Sequence, residues 1–264
     1  MVDSSKPVLL ITGASSGIGE AAVKRFAGAG YNVVAVARRK PLLEQLAADL
    51  RGQADVVPLA ASVSEDGIAE QATALCMDRF GRLDVLINNA GSFEGIPVHD
   101  TTDAQLEDLI GVSIKAPFRF SREAVKVMKP GSSVIHIGST YGLIGGFNGG
   151  AYSVAKAGLV GLTTTMAGQY GRQGIRTNMI APGVIRTAMC DSFWDMDFFQ
   201  RLNQEMTPIG RDCTVDDVVN TAFFLASDQG NFINGQSIAV DGGWSTTKFL
   251  SDKALSYDWT PPKG

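Results

Sequence analysis

Several short stretches of the chain hold residue types whose spacing can do chemistry. Thr12-Gly13-Ala14-Ser15-Ser16-Gly17-Ile18-Gly19 follows an apolar run and opens a helix-like one. In that order, backbone N–H groups and the positive end of the helix can hold a pyrophosphate. Gly13 permits the sharp turn, Gly17 lets the chain approach phosphate closely, and Gly19 lets the helix pack on the strand. The spacing is Gly-x-x-x-Gly-x-Gly, not the Gly-x-Gly-x-x-Gly of the longer dinucleotide fingerprint. A second run reads Val36-Ala37-Arg38-Arg39-Lys40, where an Asp or Glu would bind both ribose hydroxyls of NAD. The acid is missing, and a guanidinium there suits a 2′-phosphate. Tyr152 and Lys156 place a phenol and an ammonium at i and i+4, on one helical face. Alone, they make an ordinary surface pair. Ser139, however, ends an apolar run upstream, and Asn88-Asn89-Ala90-Gly91 ends another. Both ends belong on the carboxyl edge of a sheet, where open α/β folds bind ligands.

The elements that must position these groups alternate along the chain. Apolar, largely β-branched runs at Val8–Thr12, Asn32–Ala37, Asp55–Ala60, Leu83–Asn88, Ser133–Ile137, Arg176–Ile180 and Ser237–Val240 read as strands buried on both faces. Helical patterns lie between them at about 17–28, 41–51, 65–80, 103–128, 150–171 and 215–227. The expectation is a single α/β domain: a doubly wound, parallel, seven-stranded sheet with helices on both faces. Two segments fall outside the alternation. Residues 187–211 contain Phe193, Trp194, Phe198 and Phe199 and read as a substrate lid, while the tail at 244–264 carries Trp244, Tyr257 and Trp259 and should pack on something.

Composition excludes other classes. A formal net charge of −4 and an isoelectric point near 5.2 give no footprint for nucleic acid. Cys76, Cys190 and Cys213 have no Cys-x-x-Cys spacing and only His99 and His136 beside them, so neither a metal site nor a disulfide framework is expected. No apolar run approaches the ~20 residues that span a bilayer, and the short polar start lacks a targeting pattern. A cytoplasmic protein without membrane partners is expected.

Taken together, Thr-Gly-x-x-x-Gly-Ile-Gly at 12–19, Asn-Asn-Ala-Gly at 88–91, Ser139, Tyr152-x-x-x-Lys156, Pro182-Gly183 followed by Thr187, and Asp241-Gly242-Gly243 resemble the short-chain dehydrogenase/reductase family over roughly residues 6–243. The resemblance implies a Rossmann-type sheet and a nicotinamide cofactor, here NADP(H) from Arg38 and Arg39. It implies Tyr152 as the general acid and base on a carbonyl or hydroxyl oxygen, with Lys156 and the oxidised nicotinamide lowering the phenol from its ordinary pKa near 10. Ser139 would orient the substrate oxygen, and Lys156 would hold the nicotinamide ribose. Ile185 and Thr187 would take the carboxamide. Ser15, Ser16, Ile18, Ser62, Val63, Asn89, Ala90, Gly91, Pro182 and Gly183 complete the expected cofactor set. The substrate would be a small-molecule ketone or secondary alcohol, lined by Ser139, Tyr141, Leu143, Asn148, Phe193 and Trp194 and by residues 92–96. A homo-oligomer, tetramer or dimer, paired through the helices at 103–128 and 150–171, is also implied. Two positions depart from the pattern. Ser113 stands where an Asn holds a helix kink and a relay water, and Ser62 where an Asp contacts adenine. Competing functions are an NAD(H)-dependent dehydrogenase of a sugar, polyol or acyl substrate and a cofactor-binding protein with impaired turnover.

Overall fold

The computed structural model describes residues 5–146, 148–187, 190, 194–196 and 207–246. Its centre is one parallel sheet of β1 (Val8–Thr12), β2 (Asn32–Ala37), β3 (Val56–Ala60), β4 (Val85–Asn88), β5 (Ser133–Ile137), β6 (Arg176–Pro182) and β7 (Ser237–Val240). The strand order is β3-β2-β1-β4-β5-β6-β7. The order reverses at β1, so the ends of β1 and β4 form the switch point of a doubly wound sheet.

Alternate residues of β1 explain the layers. Leu9 and Ile11 face one apolar cluster with Val23 and Phe26 of α1 (Gly17–Gly28) and Leu43 of α2 (Lys40–Asp49). Val8 and Leu10 face the other, with Ala72 and Cys76 of α3 (Ile68–Phe80). A strand buried on both faces needs apolar residues in both registers, hence the unbroken Val-Leu-Leu-Ile. Beyond these, α4 (Asp103–Ile110), α5 (Ala116–Ala124), α6 (Tyr141–Ile144), α7 (Gly150–Tyr170) and α8 (Val215–Ala226) complete the described helices.

Several boundaries shift by one or two residues from the sequence reading, β3 and β4 beginning at Val56 and Val85 among them, and three further differences stand out. α3 starts at Ile68 and not at 65, because the Ser62 N–H donates to Glu65 in a local turn and Gly67 takes a left-handed φ of 81°. β6 runs on to Pro182, whose partner is Val240 of β7. The single helix expected at 103–128 is broken by a π-helical turn at Gly111–Lys115 and ends at Ala124. Pro117 is the cause. It has no N–H for the Ser113 carbonyl four residues back, and its ring crowds that carbonyl, so the chain opens to a wider turn.

Phe193, Phe198 and Phe199 of the expected lid lie outside the described residues, as do 247–264 of the tail. No helix among the described residues is long and apolar enough to cross a membrane.

Candidate active site

The switch point is tied together by Thr12 and Asn89. The Thr12 hydroxyl accepts the N–H groups of Asn89 and Ala90 at 3.0 Å each, and the Asn89 amide donates to the carbonyls of Thr12 and Gly13 at 3.0 and 3.1 Å. These bonds fix the glycine turn against the end of β4. Gly13 has a left-handed φ of 68°, and a Cβ there would lie 2.8 Å from the Asn89 amide nitrogen. A Cβ on Gly19 would collide with the Gly13 carbonyl oxygen, so the first turn of α1 folds tightly onto the turn before it.

The turn fits an anionic group. Its N-cap, Ser16, makes no side-chain capping bond, so the first N–H groups of α1 keep their donors for a ligand. Arg39 reaches across from the start of α2, its guanidinium donating to the Ser15 hydroxyl at 2.9 Å and to Ser16 at 2.6 Å. Arg38 is exposed beside it at the end of β2. Among the described residues no carboxylate lies within ion-pair distance of either arginine. Thr187 faces the turn from the far side, where a Cβ on Gly17 would meet its methyl group at 3.3 Å. Ser62 is half-buried and Val63 buried at the end of β3, next to the end of β2.

Beyond Pro182, Gly183 packs against Asp241, and Ile185 bridges to Cys213. The Cys190 thiol donates to the Ile185 carbonyl at 2.8 Å and accepts the Thr187 N–H at 3.4 Å. Sequence reasoning did not anticipate this thiol, which ties Ile185 and Thr187 to one sulfur.

Ser139, Tyr152 and Lys156 converge on the carboxyl edge. The Ser139 hydroxyl accepts the Tyr141 N–H at 3.1 Å and is near enough to the Tyr152 phenol to favour its ionised form. Lys156, one helical turn from Tyr152, donates to the Ile137 carbonyl at 2.8 Å with its nitrogen 5.6 Å from the centre of the Tyr152 ring. Gly91 is next to it: a Cβ there would sit 3.5 Å from that nitrogen. Burial raises the Tyr152 pKa above its ordinary value, with Ser139 opposing, and it draws Lys156 down to about 8. In the protein alone desolvation is the largest influence on the phenol.

Ser113 lies in the π turn, buried, with its hydroxyl unpartnered among the described residues. The kink is therefore present without the Asn.

The expected substrate residues divide. Tyr141 packs 6.4 Å from the Tyr152 ring. Leu143 and Asn148 are exposed, and Asn148 holds a left-handed φ of 53°. Trp194 is buried, with the Arg186 guanidinium 5.7 Å from its ring centre. Two further rings enter: Phe93, within the 92–96 wall expected from the sequence, and Trp244, expected only to pack on something. Phe93 stands 5.0 Å from Tyr152, and Trp244 lies 6.3 Å from Tyr141. Trp244 directly follows Asp241-Gly242-Gly243 at the carboxyl end of β7, and that position was the available signal.

A shallow open cleft lies between Tyr141, Val184, Cys213 and Trp244. Another borders Tyr152, Glu94 and Gln105.

Comparison with known proteins agrees with this geometry. The family described as enoyl-(acyl carrier protein) reductase matches residues 13–245. The chain is 34% identical over 238 residues to a meso-2,3-butanediol dehydrogenase of Serratia marcescens, covering 89% of this chain and 93% of that protein. It is 31% identical over 255 residues to (+)-borneol dehydrogenase 2 of Salvia officinalis, covering 91% and 89%. It spans 46% of the length of an uncharacterized short-chain type dehydrogenase/reductase of Sinorhizobium fredii, at 33% identity. Among solved structures, a levodione reductase superposes with a TM-score of 0.85 at 32% identity, covering 92% of this chain and 98% of that one. With the glycine turn, the Ser139–Tyr152–Lys156 grouping and these relatives, the chain belongs to the short-chain dehydrogenase/reductase family, oxidoreductases that interconvert alcohols and carbonyls.

Proposed function

We propose that this protein is an NADP(H)-preferring oxidoreductase that interconverts a ketone and a secondary alcohol, with Tyr152 as the acid and base. The observation that carries this reading is the convergence of Ser139, Tyr152 and Lys156 at the carboxyl edge, Tyr152 and Lys156 one helical turn apart and Lys156 anchored on the Ile137 carbonyl. A bound nicotinamide supplies the hydride donor or acceptor. The residues of the chain do the rest. Ser139 donates to the substrate oxygen and holds it beside the phenol, stabilising charge that develops there. Tyr152 gives that oxygen its proton in reduction and takes the hydroxyl proton in oxidation. Burial keeps the phenol protonated near neutrality, the form that reduction needs. Lys156, anchored on the Ile137 carbonyl beside Gly91, is placed to hold the nicotinamide ribose.

Similar solved chains include one complexed with NADH and one with NADP, so the cofactor preference rests on this chain's Arg38 and Arg39. The test is a panel of ketones and alcohols assayed with both cofactors in both oxidation states, on the wild type and on Tyr152→Phe. The substitution removes a proton donor and almost no volume. It is expected to lower kcat by about 10²–10⁴-fold while cofactor still binds. A variant that keeps most of the wild-type rate would refute the assignment of the acid.

A further inference from the structure

Several of the described aromatic rings gather around Tyr152. Phe93 stands edge-on to Tyr152, with centroids 5.0 Å apart and planes at 87°. Tyr141 is 6.4 Å from each of them, and Trp244 lies 6.3 Å from Tyr141, tilted by 32°. These are the separations of packed aromatic pairs. What holds each ring differs. Tyr141 and Tyr152 stand on helices. Trp244 stands on a turn built around Asp241, whose carboxylate accepts the N–H groups of Gly243 and Ser245 at 3.0 and 2.9 Å. The Trp244 N–H returns to the Asp241 carbonyl at 3.2 Å. Phe93 lies in an irregular stretch with Gly91 and Gly95 two residues to either side.

The Phe93 ring packs against the Tyr152 ring, so a substrate whose oxygen reaches the Tyr152 and Ser139 hydroxyls lies beside aromatic surface. Phe93 and Tyr141 both flank Tyr152, with Trp244 against Tyr141. A rigid ring packing there gains aromatic contact and loses less conformational freedom than an open chain of the same size. The approach is also unsuited to anions. Glu94 borders the cleft beside Tyr152, with the Gln105 amide donating to it at 3.3 Å.

Resting on the ketone–alcohol reading above, we propose that Phe93, Tyr141 and Trp244 form an aromatic wall beside Tyr152 on which the ring of a carbocyclic substrate packs. The site thus takes uncharged alicyclic or aryl-fused cyclic ketones, and their alcohols, over open-chain ones. Phe93 and Trp244 are the residues that set this preference.

The test compares kcat/KM for cyclic and open-chain ketones of equal carbon number, cyclohexanone against 3-hexanone and 1-tetralone against butyrophenone, each with NADPH and NADH. The wild type is expected to favour the cyclic member of each pair at least tenfold. Trp244→Leu and, independently, Phe93→Leu should each lower that ratio at least fivefold, with cofactor KM changed less than twofold. Thermal melts identify a variant that has failed to fold, in which case the other decides. A wild-type ratio near or below one overturns the ring preference, as does a ratio that neither folded variant alters. Turnover of no ketone with either cofactor overturns the underlying reading, and the ring preference falls with it.

Discussion

Arg39 concentrates the electrostatics of the cofactor side in one group. Its fork of donors rests on two hydroxyls, Ser15 and Ser16, which leave its charge uncompensated. A guanidinium in this state, two residues past the end of β2, suits a dianionic phosphate, and charge-assisted bonds of this kind are worth about 1.5–3 kcal/mol each. Arg39→Leu is therefore expected to raise KM for NADPH by about 10–100-fold and KM for NADH by far less. Arg38→Asp should reverse the preference, because a carboxylate repels the 2′-phosphate and accepts from ribose hydroxyls. Steady-state KM values for both cofactors check this. Equal wild-type affinities for the two would remove its basis.

Between elements, the contact of β4 with β5 carries a second titratable group. His136 is opposite Asn88 in the parallel ladder, and the Asn88 amide donates to His136 Nδ1 and to the Ser121 hydroxyl of α5, at 3.1 Å each. An accepting Nδ1 fixes the proton on Nε2, so the ring is neutral. Burial, with the Lys156 charge adding to it, lowers its pKa from 6.5 to about 3. The sign of the consequence is definite. The folded pKa lies below the unfolded one, so the unfolded chain binds the proton more tightly, and stability falls as pH drops from 6.5 towards 3. At pH 4.5 this amounts to about 2–3 kcal/mol. His136→Asn should lose correspondingly less stability between pH 7 and pH 4.5. Urea melts at the two pH values measure it, and an unchanged pH dependence would contradict a neutral buried His136.

For the whole molecule we propose a homo-oligomer. Phe118 on α5 is 54% exposed, Val154 on α7 is 62% exposed, and Phe232 before β7 is 98% exposed. Apolar side chains this open are what a two-fold related copy covers. Light scattering at micromolar concentration is expected to give a tetramer or dimer. Phe118→Asp combined with Val154→Asp should reduce it to a smaller species, and a monomeric wild type would sink the proposal.

The features legible in the sequence were local. The seven strands, the glycine turn and the Tyr152–Lys156 pair follow from side-chain periods of 2 and 3.6 and from residues a few positions apart. Pro117 was equally visible, yet its consequence was missed because the helical pattern continues on both sides of it. Other features depended on the sheet. Its strand order brings the carboxyl ends of β4, β5 and β7 onto one edge, which is how Phe93, Tyr141 and Trp244 come to surround Tyr152 across about 150 residues of chain. The protonation of the site was decided there too. Spacing showed that Lys156 is near Tyr152, but only the packed structure sets how far each is removed from water, and desolvation is what moves Tyr152 up and Lys156 down.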